Sequence, residues 1–251
     1  MIDTHCHLTQ KFYSTNLNII LKQSLQKLNA IITIGTDYDS TSNVVEIAAQ
    51  NQNVYAAIGI HPEEIKSDNF PVLEWISHSK VVAVGEIGLD YHYPETLKYK
   101  HHQIELFISQ IEVSIEQKLP IIIHSRDAFE DTITILKKYP KAYGVWHSFT
   151  GAISESKQIL DLGYYIGING IVTFPSAGGL REAIKMIPLE KLLLETDAPL
   201  LAPVPFRGSV NYPWMVQYVA ETIAQVKDCE VTIVDQITTQ NAKKIFNLTN
   251  V

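Results

Sequence analysis

The chain has 251 residues, 46% hydrophobic and 19% charged, with 20 Lys and Arg against 27 Asp and Glu, a formal charge of −7. That length holds one large domain or two small ones around a sizeable core, and the balanced composition excludes a disordered or low-complexity protein. Two cysteines, Cys6 and Cys229, cannot build a disulfide scaffold. No apolar run approaches the roughly 18 residues of a membrane span, and an acidic chain is a poor coat for a polyanion.

Met1 leads directly into strand-like residues, leaving no room for a leader peptide, so a cytoplasmic location is expected. Short apolar, β-branched runs then recur at residues 1–5, 30–35, 54–59, 81–87, 120–124, 143–147, 164–167 and 191–195. Between them, helical spacing appears at 17–28, 42–50, 70–77, 97–118, 128–139, 154–162 and 179–187, and after the last strand at 212–226 and 232–246. Runs such as Ile121-Ile122-Ile123 and Leu192-Leu193-Leu194 read as strands buried on both faces, as parallel strands are. Eight strand–helix units predict a (β/α)8 TIM barrel forming one domain over 1–251. The competing arrangement is an open doubly wound sheet, but no G-x-G-x-x-G follows the first strand to mark a dinucleotide site.

The unusual residues gather at one end of these strands. His5 and His7 close the first strand with their side chains on one face, which turns Cys6 toward the helical layer as a small buried hydrophobe. His61 follows the third strand, Glu86 interrupts the fourth, His124 and His147 end the fifth and sixth, and Asp197 follows the eighth. Singly, such a histidine is an ordinary satisfied polar group, and such a glutamate is half of an ion pair. Jointly they would strand many desolvated polar groups on one rim, and a metal centre resolves that cost. The C-terminal rim is also where barrel enzymes build their sites. His78, His101 and His102 read as solvated surface residues, and His92 is open as a substrate contact.

Six motifs in order carry a resemblance. His5-Cys6-His7, Gly59-Ile60-His61-Pro62, Gly85-Glu86-Ile87-Gly88-Leu89-Asp90-Tyr91, Ile123-His124-Ser125-Arg126-Asp127-Ala128, Trp146-His147-Ser148-Phe149-Thr150-Gly151 and Glu195-Thr196-Asp197-Ala198-Pro199 resemble the signatures of the TatD-type metal-dependent deoxyribonucleases. The resemblance implies a TIM barrel with two divalent ions (Zn, Mn or Mg). It implies that His5, His7 and Asp197 hold one ion, that His124 and His147 hold the other, and that Glu86 bridges them. A two-ion centre clamps a phosphodiester and acidifies a water, with Asp197 as ligand and general base. His61 is the candidate for phosphate contact or proton delivery, and Arg126 and Arg207 for phosphate binding. Tyr91, Phe149 and Phe174 are candidates to stack a terminal base.

The chain also departs from the family pattern. Arg207-Gly208-Ser209-Val210-Asn211-Tyr212-Pro213 replaces a more basic R-G-K-R-N-E-P loop, Glu63-Glu64 follows His61-Pro62 where another histidine is common, and Ser148 stands where cysteine often follows the sixth-strand histidine. The expectation is a hydrolase trimming short or single-stranded DNA ends, with no membrane and no protein partner. The alternatives are a metal-dependent esterase such as a D-aminoacyl-tRNA deacylase, with aminoacyl-tRNA as substrate, and a non-catalytic metal- or nucleic-acid-binding barrel.

Overall fold

A computed structural model of the chain describes residues 1–9, 13, 15–65 and 74–248. Eight parallel strands follow one another in sequence order around a single sheet: β1 (Ile2–Cys6), β2 (Ala30–Ile34), β3 (Val54–Ile58), β4 (Val81–Asp90), β5 (Ile121–Arg126), β6 (Gly144–Trp146), β7 (Tyr165–Ile168) and β8 (Leu192–Leu194). The helices are α1 (Leu17–Leu25), α2 (Tyr38–Gln50), the single turn α3 (Pro94–Leu97), α4 (Lys100–Gln117), α5 (Phe129–Leu136), α6 (Ile153–Asp161), α7 (Gly178–Met186), α8 (Val216–Lys227) and α9 (Val231–Ile245). This is the expected TIM barrel. The helix expected at 97–118 begins a little later, at Lys100, and residues 70–73 of the one expected over 70–77 lie outside the described residues. No helix among the described residues is long and apolar enough to cross a membrane.

Alternation along the strands divides the core in two. Ile32, Tyr55, Val82, Ile122, Val145, Tyr165 and Leu193 form one cluster, which Ile245 at the end of α9 and Phe246 just after it join. Their neighbours Ile31, Ile121, Ile123, Trp146, Ile166, Leu192 and Leu194 join the larger cluster between strands and helices, and Cys6 joins it too, as its position predicts. The first set fills the barrel, as layered side chains do in this fold. Two residues further along the same strands the apolar filling stops, and His124, His147 and Glu195 stand in its place.

The seam between β8 and β1 is closed by few ladder bonds and several side chains. His7 N–H donates to the Ala198 carbonyl (2.7 Å) and Asp197 N–H to the His5 carbonyl (2.9 Å). The buried Asp3 carboxylate accepts from Thr196 N–H (3.0 Å) and Thr196 Oγ1 (2.7 Å). These bonds join residues about 190 positions apart and bring His5, His7 and Asp197 together.

Two register shifts fall where the site is built. One in β1 lies between Asp3 and Cys6 and contains His5; one in β4 lies between Val84 and Ile87 and contains Glu86. A bulge re-aims a side chain that strict alternation would fix elsewhere. Beyond the second bulge, Gly88 has φ +148°, and a Cβ there would collide with the His124 carbonyl oxygen. Gly88→Ala is therefore expected to destabilise the metal-free protein by about 1–3 kcal/mol or more, read as a lower urea midpoint. An unchanged midpoint would show that β4 and β5 can separate without cost.

Candidate metal centre

Five imidazoles surround one carboxylate. Glu86 Oε2 faces His5 Nε2 (3.4 Å) and His7 Nε2 (3.9 Å). Glu86 Oε1 faces His124 Nδ1 (2.8 Å), His61 Nε2 (3.7 Å) and His147 Nε2 (3.7 Å). Asp197 Oδ1 adds a second acid, 3.3 Å from His7 Nε2, 3.6 Å from His5 Nε2 and 3.8 Å from His147 Nε2. His5 stacks on His147 with ring centroids 3.5 Å apart. Every metal ligand proposed from sequence is thus in one cluster, and His61 is in it too.

The scaffold aims these groups with buried amides and acids. Gln110 of α4 clamps the residue before His61, accepting from Ile60 N–H (2.8 Å) and donating to its carbonyl (3.1 Å). Gln103, a turn and more earlier, does the same for Asp90 (2.8 and 2.9 Å). Asp90 in turn holds His124, its Oδ2 2.9 Å from Nε2. Glu195 Oε1 accepts from Ser148 N–H (2.6 Å) and lies 3.0 Å from His147 Nδ1, an ion-pair contact rather than an aligned hydrogen bond. Gly167 leaves the room: a Cβ there would run into the Glu195 carboxylate. Asn211 donates to the carbonyls of Thr196 (2.9 Å) and Leu200 (2.7 Å), tying down the loop that carries Asp197. Asp127, Ser148 and Asp197 all have positive φ (53°, 49° and 59°), so the chain turns sharply just past three strands on this rim.

Burial and neighbours set the charges. Burial alone would raise the Glu86 carboxyl, but His147, His5, His61 and His124 together hold it well below the usual carboxylate range. Asp197 is also lowered: burial opposes this, and His7 and His147 outweigh it. Burial would lower His124 and His147, yet Asp90 and Glu86 hold His124 up to about 9, and Glu195 and Glu86 hold His147 up to about 10. His7 is raised in the same way, against burial, chiefly by Asp197. His5 is lowered by burial and by His147, and His61 falls to about 3 through burial and the neighbouring His124.

Among the described residues, three groups have donor atoms close enough to hold an ion: His5, His7 and Asp197; His5, Glu86 and His147; and His61, Glu86 and His124. Ligand atoms around a tetrahedral ion at 2.0–2.1 Å stand about 3.3 Å apart. The His5–His7 separation of 3.2 Å and the His7–Asp197 separation of 3.3 Å match that spacing. Two unprotonated imidazole nitrogens aimed at each other would repel without a cation or proton between them. The donor set of imidazoles and carboxylates suits Zn, Mn or Fe.

The cluster opens into a cavity of about 500 Å³, also lined by Glu63, Glu64, Asp90 and Arg126. Arg126 is exposed at its mouth. Arg207 is not among the lining residues; its guanidinium lies over the Phe174 ring, 4.5 Å from the centroid. Of the expected stacking residues, Phe149 is 3% exposed and packed in the core, so its faces are already used. Tyr91 is half-buried under Lys100, its hydroxyl bonded to Asp131 (2.9 Å). His92 is exposed and bonded to Asp127 (2.8 Å).

Fold and site together define a barrel hydrolase whose chemistry depends on metal. A family model described as TatD related DNase matches residues 2–247. The chain is 40% identical over 255 residues to the uncharacterized metal-dependent hydrolase YabD of Bacillus subtilis (strain 168), covering 99% of each protein. It is 37% identical over 258 residues to the uncharacterized metal-dependent hydrolase YcfH of Escherichia coli (strain K12), covering 99% of this chain and 96% of that one. The crystal structure of YJJV, a TatD homologue from Escherichia coli K12, matches with a TM-score of 0.92 at 31% identity over 98% of both chains. The chain belongs to the TatD-related DNase family and is a metal-dependent hydrolase of that type.

Sequence reasoning passed over Asp90, Glu195, Asp3, Gln103 and Gln110. Asp90 lies four residues after Glu86 on one strand, and Glu195 ends an apolar run two residues before Asp197, so both carried the signal that identified Glu86.

Metal ligation needs neutral imidazoles, so loading at pH 7.5 is expected to release at least about two protons, from His124 and His147, with the raised His7 adding to them. Calorimetry in buffers of different ionisation enthalpy measures this; no release would contradict the charge assignment. The sign also fixes metal-free stability. The raised His124 and His147 stabilise the fold fully below about pH 6.5, and that contribution is lost as pH rises through 9 and 10. Glu195→Gln is expected to weaken metal affinity about 10–100-fold by releasing His147, measured by competition with a chromogenic chelator.

Proposed function

We propose that the protein is a divalent-metal-dependent deoxyribonuclease that hydrolyses phosphodiester bonds of DNA at short or single-stranded ends, acting exonucleolytically in the cytoplasm. The observation that carries this reading is the division of Glu86, whose two oxygens face two different sets of imidazoles. That is the arrangement a carboxylate shared by two ions needs, and the name of the family supports nucleic acid as substrate.

On this reading His5, His7 and Asp197 hold one ion, Glu86 is shared, and His124 and His147 hold the other, with His61 beside them. Such ions neutralise phosphate charge and lower the pKa of a water toward neutrality. Asp197, held below the usual carboxylate range, would be the group to accept a proton from the attacking water. His61, held low by burial and by His124, is the residue for phosphate contact or proton delivery. Arg126 meets the phosphate at the mouth of the cavity. Arg207, held on Phe174, reaches only a longer substrate.

The cavity also favours ends over duplex. Its volume is that of a small-molecule site, and Glu63, Glu64 and Asp90 on its wall repel a second phosphate that no ion neutralises.

Purified protein is expected to shorten labelled single-stranded DNA from an end and to cleave bis(p-nitrophenyl) phosphate with Mg, Mn or Zn. EDTA should abolish both activities, and Glu86→Ala or Asp197→Asn should lower them at least about 100-fold. Cleavage of a misacylated tRNA without phosphodiester cleavage would replace this reading with an esterase. Activity that survives both chelator and Glu86→Ala would overturn the metal mechanism.

A further inference from the structure

The segment that follows β4 has no counterpart in the chemistry above. Tyr93, Leu97 and Tyr99 are 43%, 45% and 48% exposed, and α3 between the two tyrosines buries none of its residues. Three aromatic rings in this segment each carry a cation: Arg126 lies 5.1 Å from the Tyr93 centroid, Lys98 4.9 Å from Tyr99 and Lys100 4.7 Å from Tyr91.

Two nearby acids are already paired, while Glu95 of α3 stands exposed between the tyrosines. Asp131 is paired with Lys100 (2.7 Å), and Asp127 with His92 (2.8 Å). Arg126 lies over the Tyr93 ring and contacts its hydroxyl at 3.4 Å, and it also faces the carboxylates of Asp90 and Glu63. Arg126 also lines the metal cavity, so Tyr93, the ring it lies over, stands next to that cavity, with Tyr99 beyond α3 in the chain.

Exposed aromatic rings interleaved with cations, continuous with a phosphate-cleaving cavity, are what an unpaired strand of bases requires. Bases stack on the rings regardless of sequence, and the cations follow the backbone. A duplex offers no free base face. An acidic protein of charge −7 would also not hold a strand by charge alone, which gives stacking the larger share.

We propose that Tyr93 and Tyr99, with Arg126 and Lys98, form a stacking platform for the single-stranded nucleic acid that extends from the scissile bond. This rests on the nuclease reading and adds the path of the substrate outside the cavity. Arg126 grips the backbone next to the cavity, Tyr93 stacks the first base outside it, and Tyr99 stacks a base further along.

Two measurements test it. The first is anisotropy of a labelled single-stranded 12-mer with EDTA-treated protein, so that binding is read without cleavage. Tyr93→Ala and Tyr99→Ala should each weaken binding about fivefold or more and the double variant further, while Tyr93→Phe and Tyr99→Phe bind like wild type. The second compares the KM for that 12-mer with the KM for bis(p-nitrophenyl) phosphate in metal-loaded protein. The alanine variants should raise the first KM relative to the second and leave kcat on the 12-mer nearly unchanged.

Unchanged 12-mer affinity in the double variant would overturn the platform. So would an equal loss on the 12-mer and the small phosphodiester, which would mean that the tyrosines shape the metal cavity. If wild type binds the 12-mer through these tyrosines and leaves it uncut while cleaving an ester, the nuclease reading fails and the platform stands. Both tyrosines are exposed, so the variants are expected to keep the wild-type melting temperature, which serves as the folding control.

Discussion

Glu86 is a carboxylate almost wholly removed from water, and burial by itself pushes such a group toward its neutral form. Five imidazole nitrogens within 4 Å reverse that, and the reversal organises everything around them. Five imidazoles so close cannot all be protonated. The metal-free site therefore divides: His124 and His147 keep their protons against Glu86, Asp90 and Glu195, while His5 and His61 are held neutral. A cluster balanced between trapped protons and facing lone pairs is costly to keep without a cation. A divalent cation bound there would replace protons and satisfy lone pairs at once.

The barrel exists, for this purpose, to hold that cluster still. Its interior is apolar up to Ile122, Val145 and Leu193, and the next residues inward on the same strands are His124, His147 and Glu195. The site is thus the last layer of the core, and the rigidity of the packing below is passed to it. Bulges at His5 and Glu86 break the alternation where the geometry needs it. Buried carboxamides then fix the strand ends: Gln110 before His61, Gln103 at Asp90, Asn211 beside Thr196. Each satisfies backbone groups that would otherwise be unpaired where the strands stop.

Much of this was legible in the sequence, for a physical reason. A parallel barrel writes its strands as continuous apolar runs, so a histidine or carboxylate at a run's end stands out. His5, His7, His61, Glu86, His124, His147 and Asp197 were all visible in that way. What was hidden depends on cross-strand neighbours. Gln103 and Gln110 look like ordinary helix residues until β4 and the turn after β3 lie against α4. Gly167 looks like any glycine until Glu195 fills the space beside it. Phe149 was expected on the rim, but its N–H bonds to the Gly167 carbonyl (3.1 Å) and its ring is drawn into the core. Glu195, by contrast, could have been read, since it ends the run that leads to Asp197.

One carboxylate serving two ions is what the proposed function requires of Glu86, and anomalous diffraction from crystals soaked in Mn or Zn reads that directly. It predicts two peaks, one on each side of Glu86, the first against His5, His7 and Asp197 and the second against His124 and His147. A single peak, or two peaks that leave Glu86 outside the ligand shell of either ion, would contradict it.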